Sequence, residues 1–485
     1  MMRRAKTKRI RETEPLGDMR VLVVGLARTG IAVARFLSDR AARVVGMDIR
    51  DRDVLEREFP ELKGLSIQFH RGGQSDPSLL ETDLIVVSPG VPPMIEPLVS
   101  ARSRGIPIIS EIELASWFIT TPVLGVTGTN GKTTTTLLIG EILRKAGRRV
   151  FVGGNIGNPL INLATDAEEA DVAVVELSSF QLEGIDRFRP AVGLLLNITE
   201  DHLDRYSGFE AYVQAKSRLF MNQTAADTSI LNASDPTVMR ASRSSKARKA
   251  YFNLLDHRRE GAFFDGRRIV FRGSDAEEIY DPEKSRLLGA HHIENMMAAI
   301  VTTRLLGCPR GVIEETLGTF QGLPHRLEFV REVDGVRYFN DSKGTNVGAV
   351  VKSLQTFPGP VILIAGGRDK GGSYAPLREL VQHRVKHLIL IGEARERMAE
   401  ELRGTAPALL ADSLEAAVQE AYALAGPGDT VLLSPACASF DMFRDYAERG
   451  DTFKAFVHRL SNRKDKRVHP CGGSVNVERG EVSSR

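Results

Sequence analysis

Short apolar segments alternate regularly with helical stretches, and this pattern restricts the fold of the chain more than any other feature. The apolar segments are rich in Val and Ile and end in Gly, Asp or Ser-Pro, which is typical of buried parallel strands. Helices between such strands imply right-handed crossover units in α/β sheets. The predicted strands are Arg20–Gly25, Arg43–Asp48, Asp83–Ser88, Pro122–Gly128, Val150–Gly154, Asp171–Leu177, Val192–Asn197, Ser229–Asn232, Val336–Asn340, Val361–Gly366, His387–Gly392 and Thr430–Ser434.

The 485 residues are enough for about three domains at roughly 150 residues each. We therefore predict three α/β domains in series, at residues 19–110, 111–322 and 323–460. Residues 1–18 are basic and lack apolar periodicity, so we expect a disordered extension, with Met19 as an alternative start. Residues 461–485 are polar and are expected to form a disordered tail in which Cys471 is an exposed thiol.

Composition excludes several classes of protein. Lys and Arg number 65 and Asp and Glu 62, and this net charge of +3 is too small for a nucleic-acid coat or a polybasic membrane binder. No apolar run approaches the ~18 residues of a membrane span. Three cysteines without a C-x-x-C pair exclude a disulfide scaffold and a cysteine zinc site, and they fit a reducing compartment.

The strongest chemical signal is LGVTGTNGKTTTT at residues 124–136. A predicted strand enters a glycine-rich turn that is followed by a predicted helix, so backbone N–H groups and the helix N-terminus can face a phosphate. Lys132 would bring a charge to the β- and γ-phosphates, and Thr133 a hydroxyl for Mg²⁺. The strict P-loop pattern requires Gly where this chain has Val126, so the segment is a variant P-loop.

A second glycine turn, VLVVGLARTG, lies near the N-terminus. Gly25 and Gly30 occupy the outer positions of a dinucleotide-binding G-x-G-x-x-G, but Ala27 replaces the central glycine. Asp48 ends the next predicted strand, near where a ribose-binding acid would lie. The turn alone is compatible with an NAD site, another nucleotide site or a tight strand-to-helix turn.

Polar groups follow several other predicted strands. Glu176 ends a strand in the P-loop sheet, where a carboxylate is well placed for Mg²⁺. The run NITEDHLDRY contains Glu200, Asp201, His202 and Asp204, and composition leaves a solvated loop and a metal site equally open. Lys216, in a predicted helix, would by itself be a surface lysine.

Four loops in the last third of the chain carry further polar residues: GLPHR, NDSKGTN, GGRDKGG and SPACASFDMF. The last three begin at predicted strand ends, where an open α/β sheet gathers its ligand groups. Arg326, Lys343 and Lys370 are cations that could hold phosphate or carboxylate, although the loops alone do not name the ligand.

These motifs together resemble the Mur ligase family, and within it the members that add D-glutamate. The resemblance runs from about Val21 to about Val457. The motifs that carry it are, in order, GVTGTNGKTT, ELSSFQLE, NITEDHLDRY, YVQAK, GLPHR, NDSKGTN, GGRDK and SPACASFDMF. It implies an N-terminal Rossmann-like UDP-binding domain, a central P-loop ATPase-like domain with a mixed or parallel sheet, and a C-terminal Rossmann-like domain.

The resemblance implies an ATP-dependent ligase that adds D-glutamate to UDP-N-acetylmuramoyl-L-alanine through an acyl phosphate, in peptidoglycan precursor synthesis. It implies two Mg²⁺ ions and carbamylation of Lys216, which would turn a cation into an anionic metal ligand. The expected partners are the UDP-sugar, D-glutamate and ATP. We expect a cytoplasmic monomer that binds no nucleic acid and spans no membrane.

The resemblance also assigns residues to each substrate. Catalysis is assigned to Lys132, Glu176, His202 and Lys216, and the metal ligands to Thr133, Glu176, His202 and Lys216. ATP is assigned to Gly125, Thr127, Gly128, Thr129, Asn130, Gly131, Lys132, Thr133, Thr134, Asn295, Arg326 and Asp341. The UDP-sugar is assigned to Arg28, Thr29, Asp48, Arg50, Asn155 and His202, and the amino acid to Lys343, Thr345, Lys370, Ser439 and Phe440.

One position departs from the family pattern. The family often has H-N-x-x-N where this chain has HHIEN, so that His292 replaces the first Asn and Asn295 matches the second. This departure concerns ATP affinity and not the type of reaction. Three alternatives remain: a relative with another acceptor, such as a folate polyglutamylating ligase; a nicotinamide-dependent oxidoreductase built on Gly25–Gly30; and a non-catalytic nucleotide-binding regulator.

Overall fold

The computed structural model describes residues 16–40, 42–73, 76–165, 170–199, 201, 205–256, 259–274, 277–285, 287, 290–320, 322, 324–357, 359–369 and 371–461. The chain forms two compact units, Met1–Phe320 and Gln321–Arg485. Most of both predicted terminal extensions, including Cys471, lies outside the described residues. Within the predicted N-terminal extension, Leu16–Asp18 forms a 3₁₀ turn and Leu16 is buried, so the expectation of disorder is wrong for these three residues.

The first sheet of the first unit has five parallel strands in the order β3-β2-β1-β4-β5. Its strands are β1 Arg20–Val24, β2 Arg43–Asp48, β3 Gln68–Arg71, β4 Leu84–Val87 and β5 Ile108–Ser110. Its helices are α1 Arg28–Ser38, α2 Arg52–Glu58 and α3 Leu98–Arg104. The central strand β1 is buried along nearly its whole length, which explains its continuous apolar run.

The central sheet has six parallel strands in the order β11-β10-β9-β6-β8-β7. Its strands are β6 Val123–Thr127, β7 Val150–Gly154, β8 Val172–Glu176, β9 Val192–Leu195, β10 Thr228–Asn232 and β11 Arg248–Phe252. The helices up to β11 are α4 Glu111–Ser116, α5 Lys132–Lys145, α6 Ser179–Glu183, α7 Phe209–Ser217 and α8 Pro236–Ala241. Helix α5 follows β6 directly, as the P-loop pattern predicts.

A small antiparallel sheet completes the first unit, with strands in the order β12-β13-β14. These strands are β12 Gly261–Phe264, β13 Ile269–Arg272 and β14 Glu277–Tyr280, and they are followed by α9 Ala290–Leu305 and α10 Arg310–Thr319. The sheet and α9 contribute to the same apolar core as α5. Strand-pattern reasoning had not predicted this sheet.

The second unit has a six-stranded sheet in the order β15-β16-β20-β17-β18-β19. Strand β15 runs antiparallel to β16 and the other pairs are parallel. The strands are β15 Glu328–Val333, β16 Val336–Asn340, β17 Val361–Gly366, β18 Val385–Ile391, β19 Ala408–Leu410 and β20 Thr430–Leu433. The helices are α11 Val347–Thr356, α12 Arg378–Arg384, α13 Arg395–Glu401, α14 Leu414–Leu424 and α15 Tyr446–Arg459.

The predicted α/β class is confirmed, and each of the twelve predicted strands corresponds to an observed strand within a few residues. The strands missed by the sequence analysis are the weakly patterned β3, β5, β11, β15 and β19, besides the small antiparallel sheet. No helix among the described residues is both long and apolar enough to cross a bilayer.

Helix α4 connects the first sheet to the central sheet and carries a fully buried carboxylate, Glu113. Its two oxygens accept hydrogen bonds from the backbone N–H groups of residues 186–188 and from the indole N–H of Trp117. Because hydrogen bonds to the charged form offset its desolvation, Glu113 anchors α4 to the loop before β9.

Glu111, on the same helix, is 1% exposed and has a different environment. One oxygen accepts from the N–H of Ile161 at 2.6 Å, while Oε2 has no hydrogen-bond partner among the described residues. Burial raises the pKa of Glu111 to about 7, although the backbone N–H groups of Leu160 and Ile161 lower it. The folded protein therefore binds a proton there that the unfolded chain releases at a lower pH.

We expect this proton to make the stability depend on pH. Because the folded-state pKa of Glu111 is raised, its protonated form does not destabilise the folded protein at low pH. As the pH rises to about 7, this contribution to the free energy of unfolding is lost. Between pH 5 and pH 8 the free energy of unfolding should fall by about 2–3 kcal/mol on account of this group. Urea unfolding at the two pH values should show that Glu111→Gln removes most of this difference.

Glu113→Gln is the matched control on the same helix. In this variant the amide NH₂ of the glutamine would face backbone N–H groups that donate to a carboxylate oxygen in the parent, so donor would meet donor. We therefore expect Glu113→Gln to lower the free energy of unfolding at both pH values. A pH difference in the Glu111→Gln variant equal to that of the parent would show that Glu111 does not titrate in this range.

Candidate active site

The strand order of the central sheet brings the loops of the predicted ATP site to one edge. Strand β6 lies between β9 and β8, and all three run parallel. Their carboxyl ends therefore place the P-loop after Thr127 between Glu176, the last residue of β8, and the segment that begins at Leu196. The predicted residues Thr127 and Gly125 lie within β6, and Asn155 follows the neighbouring strand β7.

The P-loop makes a close turn into α5. Gly131 is the N-cap of this helix and has φ = +84°, in the left-handed region. A Cβ at Gly131 would lie 2.3 Å from Oδ1 of Asn295, so this position has no room for a side chain. Asn295 therefore lies directly against the loop, and Lys132, Thr133 and Thr134 form the first turn of α5, where N–H groups attract anions.

The P-loop is held from the side of β9 by matched polar pairs. The N–H of Asn130 donates to Oδ1 of Asn197 at 2.8 Å, and Nδ2 of Asn197 donates back to the carbonyl of Asn130 at 3.1 Å. The hydroxyl of Thr129 accepts from the N–H of Thr199 at 3.0 Å and lies 3.3 Å from the hydroxyl of Tyr212. These contacts fix the conformation of the loop, with the backbone N–H of Asn130 as one of the donors.

Two predicted catalytic lysines share one backbone oxygen of the P-loop. Nζ of Lys132 donates to the carbonyl of Gly128 at 3.0 Å and to that of Thr129 at 2.9 Å. Nζ of Lys216 donates to the same Gly128 carbonyl at 2.8 Å. Two ammonium groups at one acceptor repel each other, so this arrangement favours a neutral amine on one of them.

Lys216 is 1% exposed, although sequence alone predicted a surface side chain. Burial and the charge of Lys132 together lower its pKa to about 7, against the opposing effects of Asp201 and Glu176. Its Nζ also lies 4.7 Å from the ring centroid of Tyr212. At neutral pH a large fraction of Lys216 is therefore an unprotonated amine, which is the nucleophilic form.

Glu176 is 2% exposed and has one open oxygen. Oε1 accepts from Nδ2 of Asn155 at 2.9 Å, whereas Oε2 has no hydrogen-bond partner among the described residues. A buried carboxylate oxygen without a donor is costly unless a ligand satisfies it. Since Mg²⁺ in nucleotide sites takes one or two protein oxygens and completes its shell with phosphate and water, Glu176 and Thr133 fit such an ion.

The described residues do not by themselves form a metal site. Within the part of the chain that is described, no group of three or more His, Cys, Asp or Glu side chains is placed to hold a metal. The predicted ligand His202, and with it Glu200 and Asp204, lies outside the described residues.

His292 is buried beside Asn295, and its Nδ1 lies 3.4 Å from the amide nitrogen of Asn295. It therefore occupies space next to the P-loop where the family often has Asn.

Of the residues predicted to bind the UDP-sugar, His202 lies outside the described residues, and the others lie at the carboxyl edge of the first sheet or just after β7. Arg28, in the first turn of α1 with Thr29, donates to the carbonyl of Gly157 at 3.2 Å. Asp48 is buried and accepts from the N–H of Leu26 and from the guanidinium and N–H of Arg50. Burial is the largest single effect on the pKa of Asp48 and raises it, but these bonds and the charge of Arg50 together lower it more. Asp48 therefore holds the glycine turn and orients Arg50.

In the second unit, the predicted nucleotide residues Arg326 and Asp341 differ in exposure. Arg326 is exposed, whereas Asp341 is 4% exposed. Oδ2 of Asp341 accepts from the hydroxyls of Ser353 and Ser434, each at 2.7 Å, and burial raises its pKa. Asp341 thus ties the end of β16 to the end of β20 and to α11.

The predicted amino-acid residues lie on loops that follow neighbouring strands of the second unit. Lys343 and Thr345 follow β16, and Ser439 and Phe440 follow β20. Nζ of Lys343 lies 3.3 Å from the hydroxyl of Tyr446, Ser439 is buried, and Phe440 is 64% exposed. Lys370, on the loop after β17, lies outside the described residues.

Sequence reasoning missed several residues that hold these loops. Asn197 lies just after strand β9 within a recognised motif, so its position was a usable signal. Tyr212 and Arg449 lie inside helices, where nothing in the sequence pattern distinguishes them from packing or surface residues.

Comparisons with known proteins match three family models along the chain. The model of the Mur ligase MurD-like N-terminal domain matches residues 19–110. The Mur ligase middle domain matches residues 126–303, and the Mur ligase glutamate ligase domain matches residues 325–437.

Curated relatives match nearly the whole chain. The UDP-N-acetylmuramoylalanine–D-glutamate ligase of Geotalea uraniireducens is 53% identical over 445 residues, which are 92% of this chain and 98% of the relative. The enzyme of that name from Geotalea daltonii is 52% identical over 442 residues, 91% of this chain and 98% of the relative. A solved structure of UDP-N-acetylmuramate-alanine ligase MurC from Thermotoga maritima has a TM-score of 0.56 at 17% identity, covering 91% of this chain and 99% of that one, a likeness of fold.

Proposed function

The chain belongs to the Mur ligase family, and on that premise we propose that it joins D-glutamate to UDP-N-acetylmuramoyl-L-alanine at the expense of ATP. The names of relatives that are more than half identical over nearly the whole chain support this choice of substrates. The single structural observation that carries the chemistry is the P-loop with Lys132 and Lys216 at one carbonyl and the open oxygen of Glu176 nearby.

The proposed reaction has two steps. A carboxylate oxygen of the alanine attacks the γ-phosphorus of ATP, so that the bond from phosphorus to the ADP oxygen breaks and an acyl phosphate forms. The amine of D-glutamate then adds to the acyl carbon, loses a proton, and expels inorganic phosphate as the C–O bond breaks. ATP is needed because amide formation from a carboxylate and an amine is unfavourable in water.

The residues around the P-loop suit the first step. Lys132 now donates to two backbone carbonyls, and these bonds can be exchanged for phosphate oxygens when the nucleotide binds. The backbone of residues 125–134 and the N-terminus of α5 cradle the phosphates, and Asn295 borders the loop. Arg326 and Asp341 complete the proposed ATP-binding set.

We infer that Mg²⁺ is held by Thr133, Glu176, His202 and a carbamylated Lys216, with two ions in the site. The bound ions would neutralise charge on the transferring phosphoryl group. Carbamylation joins the neutral amine of Lys216 to CO₂ through a new N–C bond and releases one proton. The low pKa and burial of Lys216 support it, because a neutral amine is available at neutral pH.

The remaining assignments concern the two substrates other than ATP. We infer that Arg28, Thr29, Asp48 and Arg50, with Asn155 and His202, hold the UDP-sugar. Lys343, Thr345, Lys370, Ser439 and Phe440 hold D-glutamate. We retain the proposed domain boundaries near residues 111 and 322, a cytoplasmic location and a monomeric state as parts of this proposal.

Lys370→Ala is expected to raise the KM for D-glutamate about tenfold or more and to change the KM for ATP less than about twofold. The substitution removes a charge-assisted hydrogen bond to a carboxylate of D-glutamate, so it weakens the binding of that substrate alone. Initial rates of phosphate release with each substrate varied in turn measure both constants. Lys386→Ala, which removes an ion pair with Asp429 elsewhere in the same sheet, is the matched control. A larger rise in the KM for ATP than in that for D-glutamate would place Lys370 at the nucleotide.

The overall proposal is tested by phosphate release from Mg²⁺-ATP and UDP-N-acetylmuramoyl-L-alanine, with D-glutamate compared with L-glutamate, D-alanine and L-lysine. Release that requires the UDP-sugar and D-glutamate together is expected. Release with a different amino acid would keep the ligase and overturn the proposed amino-acid specificity. No release with any of them would favour a non-catalytic nucleotide-binding protein.

A further inference from the structure

One buried cation of the second unit, Arg449, belongs to none of the proposed ATP, metal, UDP-sugar or amino-acid sets. It lies in the first turn of α15 and is 1% exposed. Burial lowers its pKa to about 10, with the charge of Asp441 opposing that effect, so the guanidinium stays protonated at neutral pH. Burying a charge is costly, so the contacts that hold it indicate what it does.

The guanidinium joins two of the loops that carry the proposed amino-acid residues. Nε donates to the hydroxyl of Ser342 at 3.0 Å, and one terminal nitrogen donates to the carbonyl of Ser342 at 2.9 Å. The same nitrogen donates to the carbonyl of Cys437 at 3.2 Å, and the other donates to that of Ala438 at 3.2 Å. Ser342 immediately precedes Lys343 in the loop after β16, and Ala438 immediately precedes Ser439 in the loop after β20.

The third loop packs against the same point. The N–H of Arg368 donates to the carbonyl of Ala438 at 2.9 Å. A Cβ at Gly367, where φ is +133°, would lie 2.3 Å from that carbonyl and 3.1 Å from a terminal nitrogen of Arg449. Because β16, β20 and β17 are neighbours in the sheet, one guanidinium lies where their three carboxyl-end loops meet.

All four of these hydrogen bonds end on neutral oxygens of Ser342, Cys437 and Ala438. None of these four bonds pairs the cation with a carboxylate, and Asp441 acts on it only through its charge. Its planar fork satisfies acceptors on two loops at once, which the single ammonium of a lysine cannot do in the same geometry. A buried positive charge beside these loops also favours an anionic ligand there.

We propose that Arg449 is a positioning residue for the amino-acid substrate, which sets the separation of the loops that carry Lys343 and Ser439. It does not contact the substrate itself. This inference rests on the proposed function, in which these loops hold D-glutamate. It predicts a selective loss of D-glutamate binding when the guanidinium is replaced.

The test is the measurement of the KM for D-glutamate, ATP and the UDP-sugar in Arg449→Gln and Arg449→Lys variants of the full chain. Arg449→Gln should raise the KM for D-glutamate about thirtyfold or more and the other two less than about threefold, and Arg449→Lys should recover only part of the loss. Arg331→Gln is the matched control, because Arg331 donates to the carbonyls of His458 and Leu460 at the other end of α15. It should leave all three constants within about twofold of the parent.

Ser342→Ala keeps the proposal testable if Arg449 variants do not fold. It removes the hydroxyl that accepts from Nε of Arg449 and should raise the KM for D-glutamate about threefold to tenfold without raising that for ATP. An unchanged KM for D-glutamate in a folded variant, or an equal rise in all three constants, would overturn the positioning role while the ligase assignment stands. Absence of D-glutamate-dependent phosphate release by the parent protein would instead overturn the proposed function.

Discussion

Lys216→Ala should reduce D-glutamate-dependent phosphate release by roughly a thousandfold or more, because it removes a proposed metal ligand beside the transferring phosphoryl group. The variant should regain part of its activity when a short carboxylic acid such as formate or acetate is added, since such an anion can occupy the space left by the carbamate. Initial rates with and without the acid measure both effects.

The parent protein offers a second readout of the same group. In buffer that contains ¹³C-labelled bicarbonate, the parent should show a carbamate carbon signal by NMR, and Lys216→Ala should lack it. Lys145→Ala is the matched control. Lys145 is the last residue of α5, and its Nζ forms an ion pair with Oε1 of Glu315 at 3.1 Å. Full activity in Lys216→Ala would remove carbamylation from the mechanism.

Glu176→Gln should lower kcat about a hundredfold or more, because the substitution removes a negative charge from a buried site that is proposed to hold Mg²⁺. It should also raise the Mg²⁺ concentration needed for half-maximal activity about tenfold or more. The amide is nearly isosteric with the carboxylate and can still accept from Asn155, so the fold should persist. Rates across a Mg²⁺ titration separate the two effects.

Glu183→Gln serves as the control for Glu176. Glu183 ends α6, and its partly exposed carboxylate lies 3.6 Å from the guanidinium of Arg205. Exposed ion pairs contribute little, so the Mg²⁺ response of this variant should match that of the parent. An identical Mg²⁺ response in Glu176→Gln would exclude Glu176 as a ligand, and the open Oε2 would then need another explanation.

The phosphate-binding turn was predictable because its signals are local. Gly131, Lys132 and Thr133 follow an apolar strand and begin a helix, and the structure has the same order over the same residues. Glu176 and Asn197 could be predicted for a similar reason, since Glu176 ends a buried strand and Asn197 lies two residues after another one. The carboxyl ends of parallel strands gather at one edge whatever the details of packing.

Lys216 shows where such reasoning stops. In the sequence it is one lysine in a helical segment, and only the packing of α7 beside the P-loop buries it and directs its Nζ to the carbonyl of Gly128. Its lowered pKa arises from that burial and from Lys132, a residue far away in the chain. Neither cause can be recognised in the local sequence, so the catalytic and metal-binding role of Lys216 was predicted only from family resemblance.

The antiparallel strands show the same limit in the fold. Strand β15 has a mixed burial pattern, and the small sheet β12–β14 contains short strands that pack against α9. Their pairing depends on partners elsewhere in the chain, and weak alternation alone does not specify it.

The sequence by itself determined the α/β class, the order of strand and helix and the position of the phosphate-binding turn, because backbone geometry and apolar periodicity act over a few neighbouring residues. The tertiary structure decided the burial of Lys216, the open oxygen of Glu176, the pKa of Glu111 and the contacts of Arg449. Each of these properties is set by groups distant in the chain that folding brings within a few ångströms, where burial and charge shift protonation and fix loop positions.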